Sequence, residues 1–198
     1  SEMCIRDSSS EISDEVKNKL VESGIDFEEN SHQKAKTLKP DFIVKSPGIS
    51  DENDIVKFFT STSVKIISEI EFASLHCNSK IIGVTGSNGK TTTTTLAYKL
   101  ISEGGYNCTI SGNIGNSFSN VCENDTDFSI VEVSSFQLDG IESFKPHIAI
   151  LTAITPDHLD RYKNFEAYVE SKFKIIKNQS EKDYLIYDSD CKTIDSYI

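Results

Sequence analysis

The sequence lacks any apolar run that approaches the roughly 20 residues needed to cross a bilayer. It also lacks, near its first residue, the apolar core of a secretory signal peptide. Its five cysteines include no CxxC pair and no spacing typical of a metal site. These absences predict a cytoplasmic chain with reduced thiols and no membrane insertion. The cysteines are Cys4, Cys77, Cys108, Cys122 and Cys191.

Positive charge is scarce, because 20 lysines and arginines stand against 31 aspartates and glutamates, which gives a net charge of −11. A chain of this charge repels polyanions, so the composition argues against nucleic acid or an anionic membrane as the main partner. Any phosphate-binding site must therefore be built locally, from a few side chains and backbone groups.

Length and composition indicate a folded chain of limited size. With 198 residues, of which 37% are hydrophobic, it can form one sizeable core or two small ones. The chain starts at Ser1 rather than at a methionine, and its last residues resemble the middle of a helix. We therefore expect a fragment of a longer protein. We also expect residues 1–10, which show no hydrophobic periodicity, to include sequence that is not native to the fold.

Strand-like and helix-like segments alternate along the chain. Short apolar runs predict strands, and apolar residues at helical spacing predict amphipathic helices. This alternation is typical of an α/β protein with a mainly parallel sheet covered by helices. The predicted strands are 41–45, 64–67, 80–82, 108–111, 128–133, 147–153 and 184–187, and the predicted helices are 11–23, 51–59, 69–76, 92–103 and 164–177.

The most informative stretch is residues 83–91, Gly-Val-Thr-Gly-Ser-Asn-Gly-Lys-Thr. It lies between a predicted strand and a predicted helix, an arrangement that binds a nucleotide triphosphate through backbone N–H groups and the positive end of the helix. Lys90 would neutralise phosphate charge, and the hydroxyl of Thr91 would bind Mg²⁺. Val84 stands where a strict Walker A sequence has its first glycine. The alternative is a glycine-rich turn that only joins a strand to a helix.

Other predicted strands end in polar residues at the same edge of the sheet, where ligands of open α/β sheets bind. Glu132 could bind Mg²⁺ there, or it could cap a helix. The turn at 155–162 brings Asp, His, Asp and Arg together, although a lone His158 is often a plain surface residue. The small residues of 112–116 could approach a ligand. Spacing alone therefore predicts a magnesium-nucleotide site and leaves the substrate open.

Two further features have plain structural interpretations. Lys172 lies within the amphipathic helix predicted at 164–177, where a lysine is by default a solvated surface amine. The Pro-Gly pair at 47–48 is by default a simple turn.

Five motifs together resemble the Mur ligase family. In chain order they are Ser-Pro-Gly-Ile at 46–49, Thr-Gly-Ser-Asn-Gly-Lys-Thr at 85–91, Gly-Asn-Ile-Gly at 112–115, Glu-Val-Ser-Ser-Phe-Gln-Leu at 132–138 and Asp-His-Leu-Asp-Arg-Tyr at 157–162. The last two look like those of the member that adds D-glutamate, rather than those of members that add L-alanine, a diamino acid or a dipeptide. They also differ from those of folylpolyglutamate synthases. The resemblance implies an ATP-dependent amide ligase of peptidoglycan precursor synthesis.

The resemblance implies a role for each matching residue. The residues that would bind ATP are Gly86, Ser87, Asn88, Gly89, Lys90, Thr91 and Thr92. Those that would hold two Mg²⁺ ions are Thr91, Glu132, His158 and Lys172, the last as a carbamylated lysine, whose oxygens suit Mg²⁺. Those that would contact the UDP-N-acetylmuramoyl-L-alanine substrate are Ser46, Asn113, Ser134 and His158. The catalytic residues would be Lys90, His158 and Lys172.

The resemblance also implies a domain organisation. Residues 1–74 would be a partial Rossmann-like domain for the UDP substrate, and residues 75–198 an incomplete P-loop-type domain for ATP. The family's C-terminal domain, which binds D-glutamate, has no counterpart in the sequence. We therefore expect a monomer that binds nucleotide weakly and forms no product alone. Ala153 stands where the family usually has asparagine, which predicts different hydrogen bonding near His158.

Two other functions stay open at this point. One is a ligase of the same family with another amino-acid acceptor, and the other is a nucleotide-binding module without ligase chemistry. Convergence of Lys172, His158 and Glu132 above Lys90 would favour the ligase, whereas a Lys172 that points into solvent would exclude the two-metal site.

Overall fold

The computed structural model of the protein describes residues 6–9, 12–158 and 160–198. The chain forms two compact units, Ser1–Ile43 with Ile49–Ile66 and Val44–Gly48 with Ile67–Ile198. The predicted domains 1–74 and 75–198 stay a prediction, and the structure groups residues 67–74 with the second unit. Within the described ranges, no helix has both the length and the apolar character that crossing a bilayer requires.

The elements up to residue 68 are short. They are β1 (Arg6–Ser9), α1 (Asp14–Glu22), β2 (Asp26–Glu29), β3 (Phe42–Lys45), α2 (Asp54–Ser61) and β4 (Lys65–Ser68). β1 and β2 are parallel neighbours, and β3 and β4 form a second two-stranded sheet. Residues 6–9 are therefore part of a sheet, whereas residues 1–5, 10 and 11 lie outside the described ranges.

The predicted helices of this region begin later than expected, because capping side chains fix their first turns. Ser13 accepts a hydrogen bond from the N–H of Val16 at the start of α1. Asn53 accepts one from the N–H of Ile55 at the start of α2. Such polar side chains satisfy backbone donors that the helix itself leaves unpaired. The predicted starts at residues 11 and 51 are therefore each three residues early.

The second unit contains a five-stranded sheet with the order β6-β7-β5-β8-β9. Every neighbouring pair is parallel, which confirms the predicted α/β class and the mainly parallel sheet. The elements are α3 (Glu69–Ser74), β5 (Lys80–Thr85), α4 (Lys90–Glu103), β6 (Cys108–Gly112), β7 (Phe128–Glu132), α5 (Ser135–Asp139), β8 (Ile148–Leu151), α6 (Phe165–Phe173), β9 (Tyr184–Tyr187) and α7 (Lys192–Asp195).

β5 is the central strand and is buried from Ile81 to Thr85, as expected for a parallel strand covered on both faces. Val84 is fully buried within it and pairs with Glu132 of β7, while Thr85 pairs with Leu151 of β8. The carboxyl ends of three neighbouring strands therefore meet at one edge. That edge carries the candidate site, as predicted from the strand ends.

α3 is anchored in the second unit by a buried carboxylate. Glu71 accepts hydrogen bonds from the N–H groups of Glu142, Ser143 and Phe144 at 2.9, 2.9 and 2.7 Å. Ile70, on the same helix, is fully buried in the core cluster. Burial raises the pKa of Glu71, but these hydrogen bonds and that of the Ser143 hydroxyl outweigh it, so the pKa lies below its ordinary value.

Several boundaries near the carboxyl end of the chain differ from prediction. The helix predicted at 164–177 is an α-helix only over Phe165–Phe173, followed by a 3₁₀ turn at Lys174–Ile176. The helix expected at the last residues is only the short α7. The thiols of Cys77, Cys108, Cys122 and Cys191 are free, and Cys4 lies outside the described residues.

Candidate functional site

The glycine-rich loop starts where β5 ends at Thr85 and finishes where α4 begins at Lys90. Gly86 and Gly89 have φ angles of 148° and 82°, which glycine adopts without steric cost. A Cβ atom added to Gly86 would lie 1.8 Å from Oγ1 of Thr152. Both the backbone angle and the available space therefore require glycine at position 86. Val84 belongs to the strand rather than to the loop, so its departure from the strict Walker sequence leaves the loop unchanged.

Lys90 folds its side chain back over the loop. Its amine donates hydrogen bonds to the carbonyl groups of Gly86 and Ser87, both at 2.9 Å. Within the described residues, no side chain caps the first turn of α4, whose N-cap is Gly89. The backbone donors and the positive dipole of this helix end, next to a lysine amine, suit a polyphosphate.

Glu132 lies at the end of β7 with only 2% of its surface exposed. Its Oε2 accepts the hydroxyl of Thr91 at 2.8 Å, and its Oε1 accepts Nδ2 of Asn113 at 3.1 Å. The structure therefore brings three predicted site residues together. The alternative that Glu132 caps the following helix is wrong, because Ser134 caps α5.

The other predicted substrate and nucleotide residues include Ser134, Ser46 and Thr92. The Ser134 hydroxyl accepts the N–H of Gln137 at 3.3 Å in a capping box, which gives it a structural role. Ser46 is exposed in the turn after β3, and Thr92 is exposed in the first turn of α4. Their ligand contacts stay predictions.

Ser87 joins the loop to α6 and to the segment after β8. Its Oγ donates to the carbonyl of Thr155 at 2.8 Å and accepts the N–H of the same residue at 3.0 Å. Because this uses the only hydroxyl hydrogen of Ser87, the Tyr168 hydroxyl, 3.0 Å away, must be the donor to Ser87 Oγ. The N–H of Ser87 donates to the carbonyl of Ala153 at 2.9 Å, so position 153 acts here through its backbone.

Lys172 lies one helical turn after Tyr168 on α6 and is only 2% exposed. Its amine stands 4.9 Å from the centroid of the Tyr168 ring. Burial and then the charge of Lys90 lower the pKa of Lys172 to about 7, against the opposing charges of Asp157 and Asp139. The interpretation of Lys172 as a solvated surface amine is therefore wrong. At neutral pH the charged and neutral forms of this amine are both populated.

His158 lies at the exposed rim, where 48% of its side chain is accessible. Its ring centroid is 5.0 Å from that of Phe136 and 6.3 Å from that of Tyr168. Its φ of 52° is in the left-handed region, which is uncommon for residues other than glycine. Its N–H donates to Oδ1 of Asp157 at 2.9 Å, which helps to hold this turn.

Arg161 and Tyr162 fasten the same turn to its surroundings. The guanidinium carbon of Arg161 lies 4.1 Å from the centroid of the Phe136 ring, and its Nη1 donates to the carbonyl of Pro47 at 3.4 Å. The hydroxyl of Tyr162 donates to Oδ2 of Asp139 at 2.7 Å. Burial raises the pKa of Tyr162, so its hydroxyl stays a neutral donor. These contacts hold the part of the turn that follows His158.

Tyr168 is the common neighbour of Ser87, His158 and Lys172, and the sequence predicted for it only a place on the apolar face of a helix. Two signals could have identified it. Tyr168 and Lys172 are four residues apart, which places them on one helix face. A buried tyrosine also needs a partner for its hydroxyl, and a nearby serine-containing loop can supply one.

Within the described ranges, no group of three or more histidine, cysteine, aspartate and glutamate side chains converges on one point. Thr91 and Glu132 nevertheless present two adjacent hard oxygens. Mg²⁺ binds such oxygens and commonly completes its shell with water and phosphate. The donor set therefore fits a magnesium-nucleotide complex.

The sequence profile of the Mur ligase middle domain matches residues 84–198. This match covers more than half of the chain and includes every predicted site residue except Ser46. The chain belongs to the Mur ligase family. The predicted family is therefore confirmed.

Relatives within the Mur ligases are similar over most of the chain. It is 49% identical over 189 residues to the UDP-N-acetylmuramoylalanine–D-glutamate ligase of Christiangramia forsetii, covering 94% of this chain and 42% of that protein. The proteins of the same name from Cytophaga hutchinsonii and Bacteroides fragilis are 45% and 43% identical, with 90% and 91% of this chain and 40% and 41% of those proteins covered. The chain thus spans about two fifths of the length of these relatives.

Solved structures of Mur ligases share the fold. A UDP-N-acetylmuramate:L-alanyl-γ-D-glutamyl-meso-diaminopimelate ligase from Neisseria meningitides aligns with a TM-score of 0.64 at 17% identity, covering 96% of this chain and 65% of that chain. The MurF ligase of Thermotoga maritima, solved in complex with ADP, aligns with a TM-score of 0.53 at 18% identity, covering 81% of this chain and 46% of that chain. At these identities the likeness shows the fold alone.

Proposed function

We propose that this Mur ligase chain serves an ATP-dependent amide ligation that adds D-glutamate to UDP-N-acetylmuramoyl-L-alanine in peptidoglycan precursor synthesis. The names of relatives at 43–49% identity support this acceptor. The structural observation that carries the proposal is the burial of Lys172 within the electrostatic reach of Lys90. A module that only binds nucleotide has no evident use for a second, desolvated amine beside the phosphate loop.

Magnesium would be held by the hydroxyl of Thr91 and the carboxylate of Glu132, with His158 and a modified Lys172 as candidates for a second ion. Bound there, Mg²⁺ would neutralise charge on the phosphates of ATP. Asn113 would orient the Glu132 carboxylate, since its amide donates to the oxygen that Thr91 does not contact.

Lys172 is suited to carbamylation. The neutral amine attacks carbon dioxide, a C–N bond forms, one proton is released, and the amine becomes a carbamate anion. Burial and the charge of Lys90 favour the neutral amine that this step needs, because they lower the pKa of Lys172 to about 7. The positive charges of Lys172 and Lys90 repel each other, whereas the negative carbamate would attract the positive charge of Lys90. Modification therefore fits the local electrostatics.

The side chains of the site then have distinct tasks in the reaction. The substrate carboxylate attacks the γ-phosphorus of ATP, and ADP leaves as an acyl phosphate forms. The amine of D-glutamate displaces phosphate from that acyl group through a tetrahedral intermediate, and the amine loses a proton. Lys90 and the start of α4 would bind the phosphate charge, and His158 would orient the attacked carboxylate. Ser46, Asn113 and Ser134 would contact the nucleotide sugar substrate.

We expect this reaction to occur in the cytoplasm in a monomeric protein, with the amino acid bound by residues outside these 198. The 198-residue chain alone should bind nucleotide weakly and form no amide. The test uses the complete polypeptide with ATP, UDP-N-acetylmuramoyl-L-alanine and a panel of D-glutamate, L-alanine and a diamino acid. Chromatography of the nucleotide products measures the amide.

The expected result is an amide with D-glutamate and none with the other amino acids. An amide formed with another amino acid would overturn the acceptor while leaving the ligase chemistry intact. ATP binding without any amide would favour the alternative of a nucleotide-binding module. Loss of amide formation in Lys172→Ala, with recovery on adding a short carboxylic acid, would support the carbamate separately.

A further inference from the structure

Thr152 contacts the phosphate loop from the end of β8, at a position outside every motif that indicated the family. Its Oγ1 lies 2.6 Å from the carbonyl oxygen of Asn88 and 3.2 Å from that of Thr85. Its N–H donates to the same Thr85 carbonyl at 2.9 Å. The Thr152 hydroxyl has one hydrogen to donate, and the Thr85 carbonyl already accepts the Thr152 N–H. The shorter hydrogen bond to the Asn88 carbonyl is therefore the main interaction of the hydroxyl.

This bond fixes the orientation of one peptide group. A trans peptide is planar, and its C=O and N–H bonds point in opposite directions. With the Asn88 carbonyl directed at Thr152, the N–H of Gly89 points away from β8. Gly89 is exposed and is the N-cap of α4. Its N–H is therefore a hydrogen-bond donor directed toward solvent at the positive end of the helix.

The rest of the loop is held by different groups. The carbonyls of Gly86 and Ser87 accept the amine of Lys90, both at 2.9 Å. The N–H of Ser87 donates to the carbonyl of Ala153 at 2.9 Å. Each of these contacts lies on the amino side of Asn88. The side chain of Asn88 donates through Nδ2 to Oγ1 of Thr155 at 3.3 Å, whereas the hydroxyl of Thr152 holds the carbonyl of the peptide between Asn88 and Gly89.

We propose that Thr152 is a positioning residue for nucleotide binding, which sets the Asn88–Gly89 peptide so that the Gly89 N–H meets a phosphate oxygen. This inference rests on the proposed function, in which the loop binds the phosphates of ATP. It adds β8 to the elements that shape the phosphate site. Thr152 itself touches no ligand in this arrangement.

Three variants separate positioning from plain stability. Thr152→Val keeps the shape of the side chain and removes the hydroxyl, and Thr152→Ser restores the hydroxyl. Thr126→Val is the matched control, because the buried Oγ1 of Thr126 has no hydrogen-bond partner in the part of the chain that the structure describes. Each variant of the complete polypeptide is measured by calorimetric titration with MgATP, by thermal denaturation, and by amide hydrogen exchange of residues 86–91.

The expected result is a loss of MgATP affinity in Thr152→Val of about three- to tenfold, the size of one hydrogen bond. Exchange at residues 86–91 should be faster in ligand-free Thr152→Val, while Thr152→Ser and Thr126→Val should match the unmodified protein. Unchanged affinity in Thr152→Val, or a lower melting temperature as its only effect, would overturn the inference. Absence of MgATP binding in the unmodified polypeptide would overturn the proposed function together with this inference.

Discussion

The hydroxyl of Tyr168 donates to Oγ of Ser87 over 3.0 Å, and the ring of the same tyrosine stands 4.9 Å from the amine of Lys172. One side chain of α6 therefore contacts both the phosphate loop and the amine that we expect to be modified. Its position couples the geometry of the loop to that of Lys172.

Tyr168→Phe should weaken MgATP binding by about three- to tenfold, because the ring stays while Ser87 loses one hydrogen bond. The pKa of Lys172 should be nearly unchanged, since the phenylalanine ring still excludes water. Calorimetric titration measures the affinity. Tyr184→Phe is the control, since Tyr184 is 62% exposed on the edge strand β9. Equal affinities of Tyr168→Phe and the unmodified protein would contradict the coupling.

Glu132→Gln should reduce the affinity for MgATP by at least about tenfold, because an amide replaces the carboxylate that we expect to bind the ion. Affinity for ATP measured in excess chelator should change much less. Glu103→Gln, on the exposed end of α4, serves as the control. The magnesium assignment would be refuted by an equal loss of affinity with and without Mg²⁺.

Lys172→Met should raise the free energy of unfolding of the protein in buffer free of carbon dioxide, and the size of this increase should depend on pH. Burial and the charge of Lys90 lower the pKa of Lys172 from 10.5 to about 7. Below pH 7 both folded and unfolded chains carry the proton, so the full penalty of burying a charge applies. Between pH 7 and 10.5 the unfolded chain binds the extra proton, so the stability of the unmodified protein rises with pH relative to the variant.

Denaturant unfolding at several pH values measures this difference. The gain in Lys172→Met should be about 3 to 5 kcal/mol at pH 6 and should disappear as the pH approaches 10.5. Lys163→Met, which changes an exposed lysine, should show no such trend. A gain that is constant over this range would show that Lys172 is not desolvated in solution.

Glu71→Gln should destabilise the protein by about 1 to 3 kcal/mol at pH 7, because an amide accepts the N–H groups of residues 142–144 less well than a carboxylate does. The opposing effects of burial and hydrogen bonding leave the pKa of Glu71 below the ordinary 4.5. Its contribution is therefore complete above pH 4.5 and is lost as the pH falls through the folded pKa. The difference in the free energy of unfolding between Glu71→Gln and the unmodified protein should therefore shrink as the pH falls below 4.5. Glu181→Gln, which changes an exposed side chain, should leave the free energy of unfolding unchanged at pH 7 and below pH 4.5.

The order of most strands and helices after residue 40 was predictable from the sequence, because their apolar periodicity is strong, whereas β1 and β2 were not predicted. The strand at Tyr184–Tyr187 has the predicted bounds. Helix starts were less predictable, since the capping side chains Ser13 and Asn53 decide them. The short α5 was not predicted, because five residues are too few to show helical periodicity.

A motif in the sequence names Lys90, Thr91 and Glu132, and the structure places Thr91 beside Glu132, while their ligand contacts stay predictions. The site was not predictable where long-range packing decides the environment. Lys172 and an exposed lysine look alike in a sequence, and only the packing of α6 against its neighbours shows that this amine is buried. The contact of Thr152 with Asn88 joins residues 64 positions apart, which sequence periodicity cannot reveal.

The close approach of Gly86 to Thr152 also constrains how the two positions can change in evolution. A methyl group at Gly86 would overlap the Thr152 hydroxyl, which lies 1.8 Å from where that group would be. A smaller side chain at residue 152 would not rescue a mutant with alanine at position 86, because the φ of 148° would still strain the alanine and the backbone carbonyl carbon of Thr152 would still lie 3.1 Å from the added group. A genetic screen for suppressors of such a mutant should therefore return no single change at residue 152, and position 86 should accept only glycine whatever residue stands at 152.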